Sequence, residues 1–308
     1  MTPSKKFKPM KLFFLVNPVS GGIDKEPFLK KAKELCDLYG IDYEIFKTTG
    51  ENDREGFLKS LEEFKPDKVL AVGGDGTVLF TAVTLLESHL PMGIIPLGSA
   101  NGMATELFVD PDPVQALRDV IMSDLVEGLD LLLINEKHYA LHIGDVGINA
   151  GIVEAYEKDP KRGMITYAKY FIEEMSQLKP FRVVAETDAD SYEGEVLMAA
   201  ICNARKYGTG VPLNDVGNPM DGEFELVFLE KVDVPTLIRA GLASFNDKFH
   251  DSQVSTLIRA KRAKLTFDKP RLLQLDGEVA ERYKTVDIQM LPGAIRLITT
   301  RKNKNISL

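Results

Sequence analysis

Gly73-Gly74-Asp75-Gly76-Thr77 is the run whose residue types can do chemistry most directly in this 308-residue chain. It follows an apolar stretch, Lys68 to Val72, and leads into another, Val78 to Leu86, so it reads as a turn from a strand into a helix. Such a turn gathers free backbone N–H groups and the positive end of a helix dipole at one point, an arrangement that binds phosphate. Glycines let the backbone come close to the oxygens. A carboxylate is tolerated beside phosphate where Mg²⁺ or water intervenes, which makes Asp75 a candidate for managing a metal. A bare Gly-Gly pair would be an ordinary tight connection; the strand-to-helix setting of GGDGT favours phosphate.

Two further loops carry groups of the same kind. Asn17-Pro18-Val19-Ser20-Gly21-Gly22 offers an amide, a hydroxyl and two glycines, and Gly98-Ser99-Ala100-Asn101 offers a hydroxyl and an amide. Neither a GxxxxGK[ST] loop nor a GxGxxG fingerprint occurs, which excludes a Walker-type ATPase and removes the main support for hydride transfer.

The elements that must position these loops are legible. Leu12 to Val16 is a continuous apolar run, as in a buried strand. The next helix is bracketed by Asp24 and Pro27 at its start and Gly40 at its end, with Phe28, Ala32, Leu35 and Tyr39 on one face. Ile41, Tyr43 and Ile45 alternate as a strand, Phe57, Leu58, Leu61 and Phe64 mark a second helix, and Gly93 to Leu97 is a fourth strand. Strands alternating with helices pair in parallel through right-handed crossovers, and ligands then sit beyond the carboxyl ends of the strands. All three small-residue loops occupy those ends.

After Gly128 the pattern changes to short strands, expected at Leu129 to Ile134, Tyr139 to Ile143, Phe181 to Glu186, Glu195 to Asn203, Glu223 to Leu229, Lys264 to Phe267 and Ala294 to Thr299, with helices only near Ile165 to Leu178 and Pro235 to Phe249. The expected architecture is a three-layer α/β domain with a mostly parallel sheet over residues 1–128, completed by 293–308. A β-rich, sandwich-like domain follows over 129–292, with a cleft between the two.

The net charge of −8 argues against nucleic acid or anionic membrane as general electrostatic partners. The two cysteines, Cys36 and Cys202, have no metal or redox spacing and read as small core residues. No apolar run reaches the roughly 18 residues of a spanning helix, so a cytoplasmic protein is expected. His89, His138, His142 and His250 lack paired-ligand spacing. Arg259, Lys261, Arg262 and Lys264 form a dense basic run, read as a solvated face with membrane-surface contact as the other reading.

NPVSGG, GGDGT, PLGSANGMA, NARKYGTG and LDGE, in that order and spacing, resemble the diacylglycerol kinase and sphingosine kinase superfamily, especially its small bacterial lipid kinases. The resemblance implies ATP and Mg²⁺ as cofactors and a lipid alcohol as acceptor, in a protein that visits the membrane periphery. It implies ATP contacts from Asn17, Pro18, Val19, Ser20, Gly21, Thr48, Gly73, Gly74, Asp75, Gly76, Thr77, Val78, Leu79, Ser99 and Asn101. Glu278 in Leu275-Asp276-Gly277-Glu278 would accept the proton of the lipid hydroxyl, assisted by Asp276, with Asp75 near Mg²⁺ and the phosphates. Asp221, with backbone groups of Asn218 and Glu223, matches the family's structural magnesium position.

The chemistry has its own logic, because phosphoryl transfer needs in-line positioning, charge neutralisation and a carboxylate for the hydroxyl proton. LDGE standing alone is an ordinary β-turn sequence. The third loop departs from the bacterial pattern: Ser99 stands for the usual Thr, and Asn101-Gly102 for Asn-Asp. The GSxN form is similar to sphingosine and ceramide kinases, so the acceptor is diacylglycerol-like or sphingoid-like. Two alternatives stand beside this reading. GGDGT also appears in NAD kinases, although their Asn-Glu/Asp motif has no convincing counterpart here, and a catalytically inactive nucleotide- or lipid-binding protein could keep the same fold. Oligomeric state is unreadable, which leaves a homodimer open.

Overall fold

The computed structural model describes residues 8–147, 179–206, 213–230 and 255–306. The chain divides into two compact units, one running to Glu127 and taking back Ile295–Ile306, the other spanning Gly128–Ala294. The helices expected near 165–178 and 235–249 lie outside the described residues.

The first unit alternates as expected: β1 (Lys11–Val16), α1 (Glu26–Tyr39), β2 (Asp42–Lys47), α2 (Asp53–Phe64), β3 (Lys68–Gly73), α3 (Asp75–Leu85) and β4 (Met92–Pro96). The strands pair in parallel, β2 with β1, β1 with β3 and β3 with β4, and Leu297 from the last strand of the chain adds beside Met92. β1, β3 and β4 are buried almost throughout, because helices cover both faces of the sheet. On one face Phe14, Val16, Leu70 and Ile95 pack with Phe28, Leu29 and Leu35 of α1 and with Leu117, Val120 and Ile121. The opposite side is aromatic, with Phe57 of α2 tilted against Phe13 at 5.5 Å and stacked on Phe80 of α3 at 6.4 Å.

Helix ends follow their sequence signals. The Asp24 carboxylate accepts from the Glu26 amide at 3.0 Å, Pro27 sits in the first turn, and Gly40 stops α1 at φ 64°, a conformation that favours glycine. Tyr39 departs from the reading that set it on the buried face: it is 48% exposed, because it ends the helix just where Gly40 turns the chain away. Two helices escaped the pattern, α4 (Gly102–Glu106), which is only 5 residues long, and α5 (Pro113–Met122). The second had a readable start, since Asp112 accepts from the Val114 amide at 3.1 Å and Pro113 occupies the first turn.

The second unit is antiparallel. It contains β5 (Val126–Ile134), which enters from the first unit, β6 (His138–Ala140), β7 (Ile143–Val146), β8 (Phe181–Thr187), β9 (Ser191–Val196), β10 (Met198–Cys202), β11 (Phe224–Leu229), β12 (Ser255–Ala260), β13 (Arg262–Leu275) and β14 (Glu278–Ile298). The strand expected at 139–143 is two strands, parted at Leu141-His142, whose amides turn to a carboxylate described below. The strand expected at 195–203 likewise splits around Leu197, which pairs with Leu229 instead. The short strands expected at 264–267 and 294–299 are parts of the long β13–β14 hairpin, and β12 was missed, its residues having been read only as charge.

Side chains on one face of this sheet make an apolar core of Val146, Ile201, Leu226, Phe228, Leu265 and Leu273 with their neighbours. Strand alternation puts Asp145, Cys202, Glu225 and Gln274 on the other face. All four are buried.

Candidate active site

Parallel pairing brings the carboxyl ends of β1 to β4 to one edge, and the ladder runs on into the loops. The Asn17 amide donates to Val72 O at 3.1 Å, Thr48 to Val16 O at 2.9 Å, and Leu97 to Gly73 O at 2.9 Å. Three glycines interlock beyond them. A Cβ on Gly98 would lie 2.3 Å from Gly74 Cα, one on Gly74 would meet Ser20 Oγ at 3.1 Å, and one on Gly21 would meet Gly98 C at 2.8 Å. Backbone thus touches backbone, which no other residue permits. Ser20 Oγ accepts from the Gly74 amide at 2.9 Å and ties the first loop to the second.

The third loop is held by side chains that the sequence assigned to ligand contact. Asp75 Oδ2 accepts from the Gly102 amide and Oδ1 from the Met103 amide, each at 2.9 Å, so this carboxylate fastens the GGDGT turn to the start of α4. Asn101 accepts from the Gly98 amide at 2.8 Å and donates back to Gly98 O at 3.0 Å; its side chain shapes its own loop. Gly102 contributes its backbone N–H to Asp75, where an acidic side chain was the usual expectation. Val78 is 2% exposed, with its side chain in the core, and Leu79 is half-buried. Thr77 is buried with a hydroxyl that has no hydrogen-bond partner. Pro18, Val19, Gly21, Gly76 and Ser99 are exposed. In the first turn of α3 the amides of Asp75 and Gly76 donate to no described residue, whereas those of Thr77 and Val78 donate to Gly74 O at 2.9 and 3.1 Å, and a Cβ on Gly76 would meet nothing within 4 Å. This edge fits the phosphates of a nucleotide. Each Asp75 oxygen accepts a single amide and keeps a second lone pair for a cation or water.

Sequence reasoning missed Lys25. Its ammonium donates to Ser20 O at 2.5 Å and Ile23 O at 2.7 Å and is buried. Burial holds its pKa below the ordinary lysine value, and Asp24 pulls the other way. The only signal was its place five residues after Ser20 in a glycine-rich loop.

In the second unit Asp276 and Gly277 are both left-handed, at φ 50° and φ 86°, and close a two-residue turn in which Leu275 pairs with Glu278. The plain β-turn reading of LDGE is therefore true, and the turn is also a clamp. Asp276 Oδ2 accepts from the Leu141 amide at 2.8 Å, and Oδ1 from His142 at 2.9 Å and Ile143 at 3.1 Å. Burial pushes this carboxyl up from the ordinary range, opposed by the three amides and His142. Glu278, one residue beyond the turn, is exposed and its carboxylate has no hydrogen bond to any described residue.

The Asn218–Glu223 turn is built differently from a metal loop. The Asp221 amide donates to Asn218 O at 3.3 Å, Asp221 Oδ1 accepts from the Glu223 amide at 3.1 Å, and Oδ2 is 2.5 Å from Arg259 Nη2. Glu223 Oε2 lies 3.0 Å from the same nitrogen. Glu225 approaches Arg259 Nε at 3.4 Å as an ion pair without hydrogen-bond geometry, and burial, with the neighbouring acids, pushes it up to about 8. The described residues contain no cluster of three His, Cys, Asp or Glu disposed to hold a metal. Within the basic run Arg259 is thus engaged by acids, and Lys264 pairs with Asp287 at 3.9 Å. Burial raises both thiols, Cys36 to about 11, in keeping with inert core residues.

A parallel α/β unit with glycine loops at its strand ends, followed by an antiparallel β-rich unit, defines a class that the comparisons identify. The diacylglycerol kinase catalytic domain matches residues 11–133 and the YegS C-terminal NAD kinase beta sandwich-like domain matches residues 145–299. The chain belongs to this family of lipid kinases. It is 28% identical over 276 residues to a Klebsiella pneumoniae protein named "Probable lipid kinase YegS-like", covering 88% of this chain and 91% of that one. To a diacylglycerol kinase of Bacillus subtilis it is 23% identical over 284 residues, 91% of this chain and 90% of the relative. Its fold resembles the crystal structure of a diacylglycerol kinase from Bacillus anthracis, with a TM-score of 0.73 at 20% identity over 96% of this chain and 99% of that one. No described helix is long and apolar enough to cross a membrane.

Proposed function

We propose that the chain transfers the γ-phosphoryl group of ATP to the hydroxyl of a diacylglycerol- or sphingoid-like lipid. The observation that carries this reading is the interlocked edge of Gly21, Gly74 and Gly98 with the open first turn of α3, joined to family membership. Backbone amides of the GGDGT turn bind phosphate oxygens, and Ser20 and Ser99 border the nucleotide. Asp75 is the acid that would hold Mg²⁺, which when bound supplies charge neutralisation for the phosphates. Glu278 takes the proton of the lipid hydroxyl as the new O–P bond forms. The bond from the γ-phosphorus to the bridging oxygen breaks, and ADP leaves. Lipid reaches the protein from a membrane surface; of the basic run, Lys261 and Arg262 remain as candidates for that contact.

The direct test is labelled ATP incubated with total lipid extract, Mg²⁺ and the protein, beside a parallel reaction with NAD. The expected result is label in one lipid class and none in NADP. Label in NADP alone, or tight ATP binding without ADP release on any lipid, would overturn the reading.

Lys25 supports the same site as a positioning residue. Lys25→Met removes two hydrogen bonds that brace the Ser20 loop, and the expected result is a rise of roughly tenfold in KM for ATP, about the worth of one lost hydrogen bond. The change in kcat should be smaller. Equal losses in kcat and affinity for the lipid would show instead that the loop braces the chemistry.

A further inference from the structure

We propose that Arg259 is a built-in cation for the turn at residues 218–223, so that this chain holds with a guanidinium the position that its family resemblance gives to a structural divalent ion. β11 and β12 run antiparallel with Glu225 directly opposite Arg259, and Glu223 lies two residues before Glu225. The turn then folds Asp221 back over the same spot, with Gly222 at φ 79° and its amide donating to Asp130 Oδ2 at 2.7 Å. Three carboxylates from alternate residues of one stretch of chain therefore converge on one side chain, at 2.5, 3.0 and 3.4 Å.

A guanidinium suits this arrangement because its planar fork presents five donors and keeps its charge at every working pH. Magnesium does not. It requires near-octahedral oxygens at about 2.0–2.1 Å, whereas the guanidinium already stands between Asp221 Oδ2, Glu223 Oε2 and Glu225 Oε1. A dication added here would sit against the guanidinium, with like charges a few ångströms apart.

The test is thermal unfolding of the nucleotide-free protein, which separates this proposal from the kinase reading because no ATP-bound metal is present. The natural chain should show the same Tm in EDTA as in millimolar Mg²⁺, and should carry no tightly held divalent ion after purification. Arg259→Gln should unfold roughly 5 °C lower and regain at least half of that loss in millimolar Mg²⁺, the vacated carboxylates having become available to an ion. Arg259→Lys should stay indifferent to metal and keep most of its stability. A natural chain destabilised by EDTA, or one divalent ion per chain by elemental analysis, would overturn the proposal, as would an Arg259→Gln protein with unchanged Tm. If Arg259→Gln fails to fold, the EDTA comparison and the ion content of the natural chain decide.

Discussion

Glu278→Gln should lower lipid phosphorylation by roughly a hundred- to ten-thousand-fold, the usual worth of a positioned general base, while Tm stays within experimental error. The second half of that result follows from its surroundings. The side chain is exposed and holds no other part of the described protein, so an isosteric amide costs the fold nothing. Asp276→Asn should do the reverse. Its carboxylate satisfies the amides of Leu141, His142 and Ile143, and the replacement amide has one acceptor oxygen and turns a donor toward a donor. The loss is on the order of 3 kcal/mol, read as a lower Tm, with β6 and β7 released from the turn. Whatever activity Asp276→Asn loses should return in part under conditions that stabilise the fold, whereas the activity of Glu278→Gln should not. Full activity in Glu278→Gln would remove that residue from the mechanism.

The two acids of LDGE show where sequence reasoning stopped. Their spacing and the Asp-Gly pair gave the turn correctly, and the resemblance gave both a part in proton transfer, but the three amides that claim Asp276 come from residues some 135 positions away. No local pattern reports such a contact. In the first unit, by contrast, alternation of strand and helix, the run of glycines and the parallel ladder are all short-range consequences of sequence, and the converging loops could be read before any coordinates. Asp75 and Asn101 mark the boundary again. Their loops were identified, yet the side chains turn to the Gly102, Met103 and Gly98 backbone. Short polar side chains in loops often satisfy the nearest backbone first, and the motif alone does not distinguish that duty from ligand binding. Arg259 was hidden for a third reason: β12 was read as charge, and only the pairing of β12 with β11 brings it opposite Glu225.

Two glycines at the strand-end edge of the first unit should respond in opposite ways to the same added methyl group. In Gly98→Ala the new carbon would lie 2.3 Å from Gly74 Cα and 2.9 Å from Gly74 N. Those are backbone atoms, so the clash is relieved only by pushing the second and third loops apart. Stability should fall by about 1–3 kcal/mol, in the range of an overpacked core, and nucleotide affinity should fall with it. Gly76 stands in the first turn of α3 with open space in front of its Cβ position and a φ that alanine accepts. Gly76→Ala should therefore keep or raise Tm, since alanine favours a helix over glycine by up to about 1 kcal/mol. If phosphate oxygens approach the backbone at this turn, the methyl group stands in their way, and ATP affinity by calorimetry should drop at least roughly tenfold in a protein that is no less stable. A Gly76→Ala protein that binds ATP as tightly as the natural chain would mean that the triphosphate lies elsewhere on the edge, because in that variant neither unfolding nor loop displacement remains as an explanation.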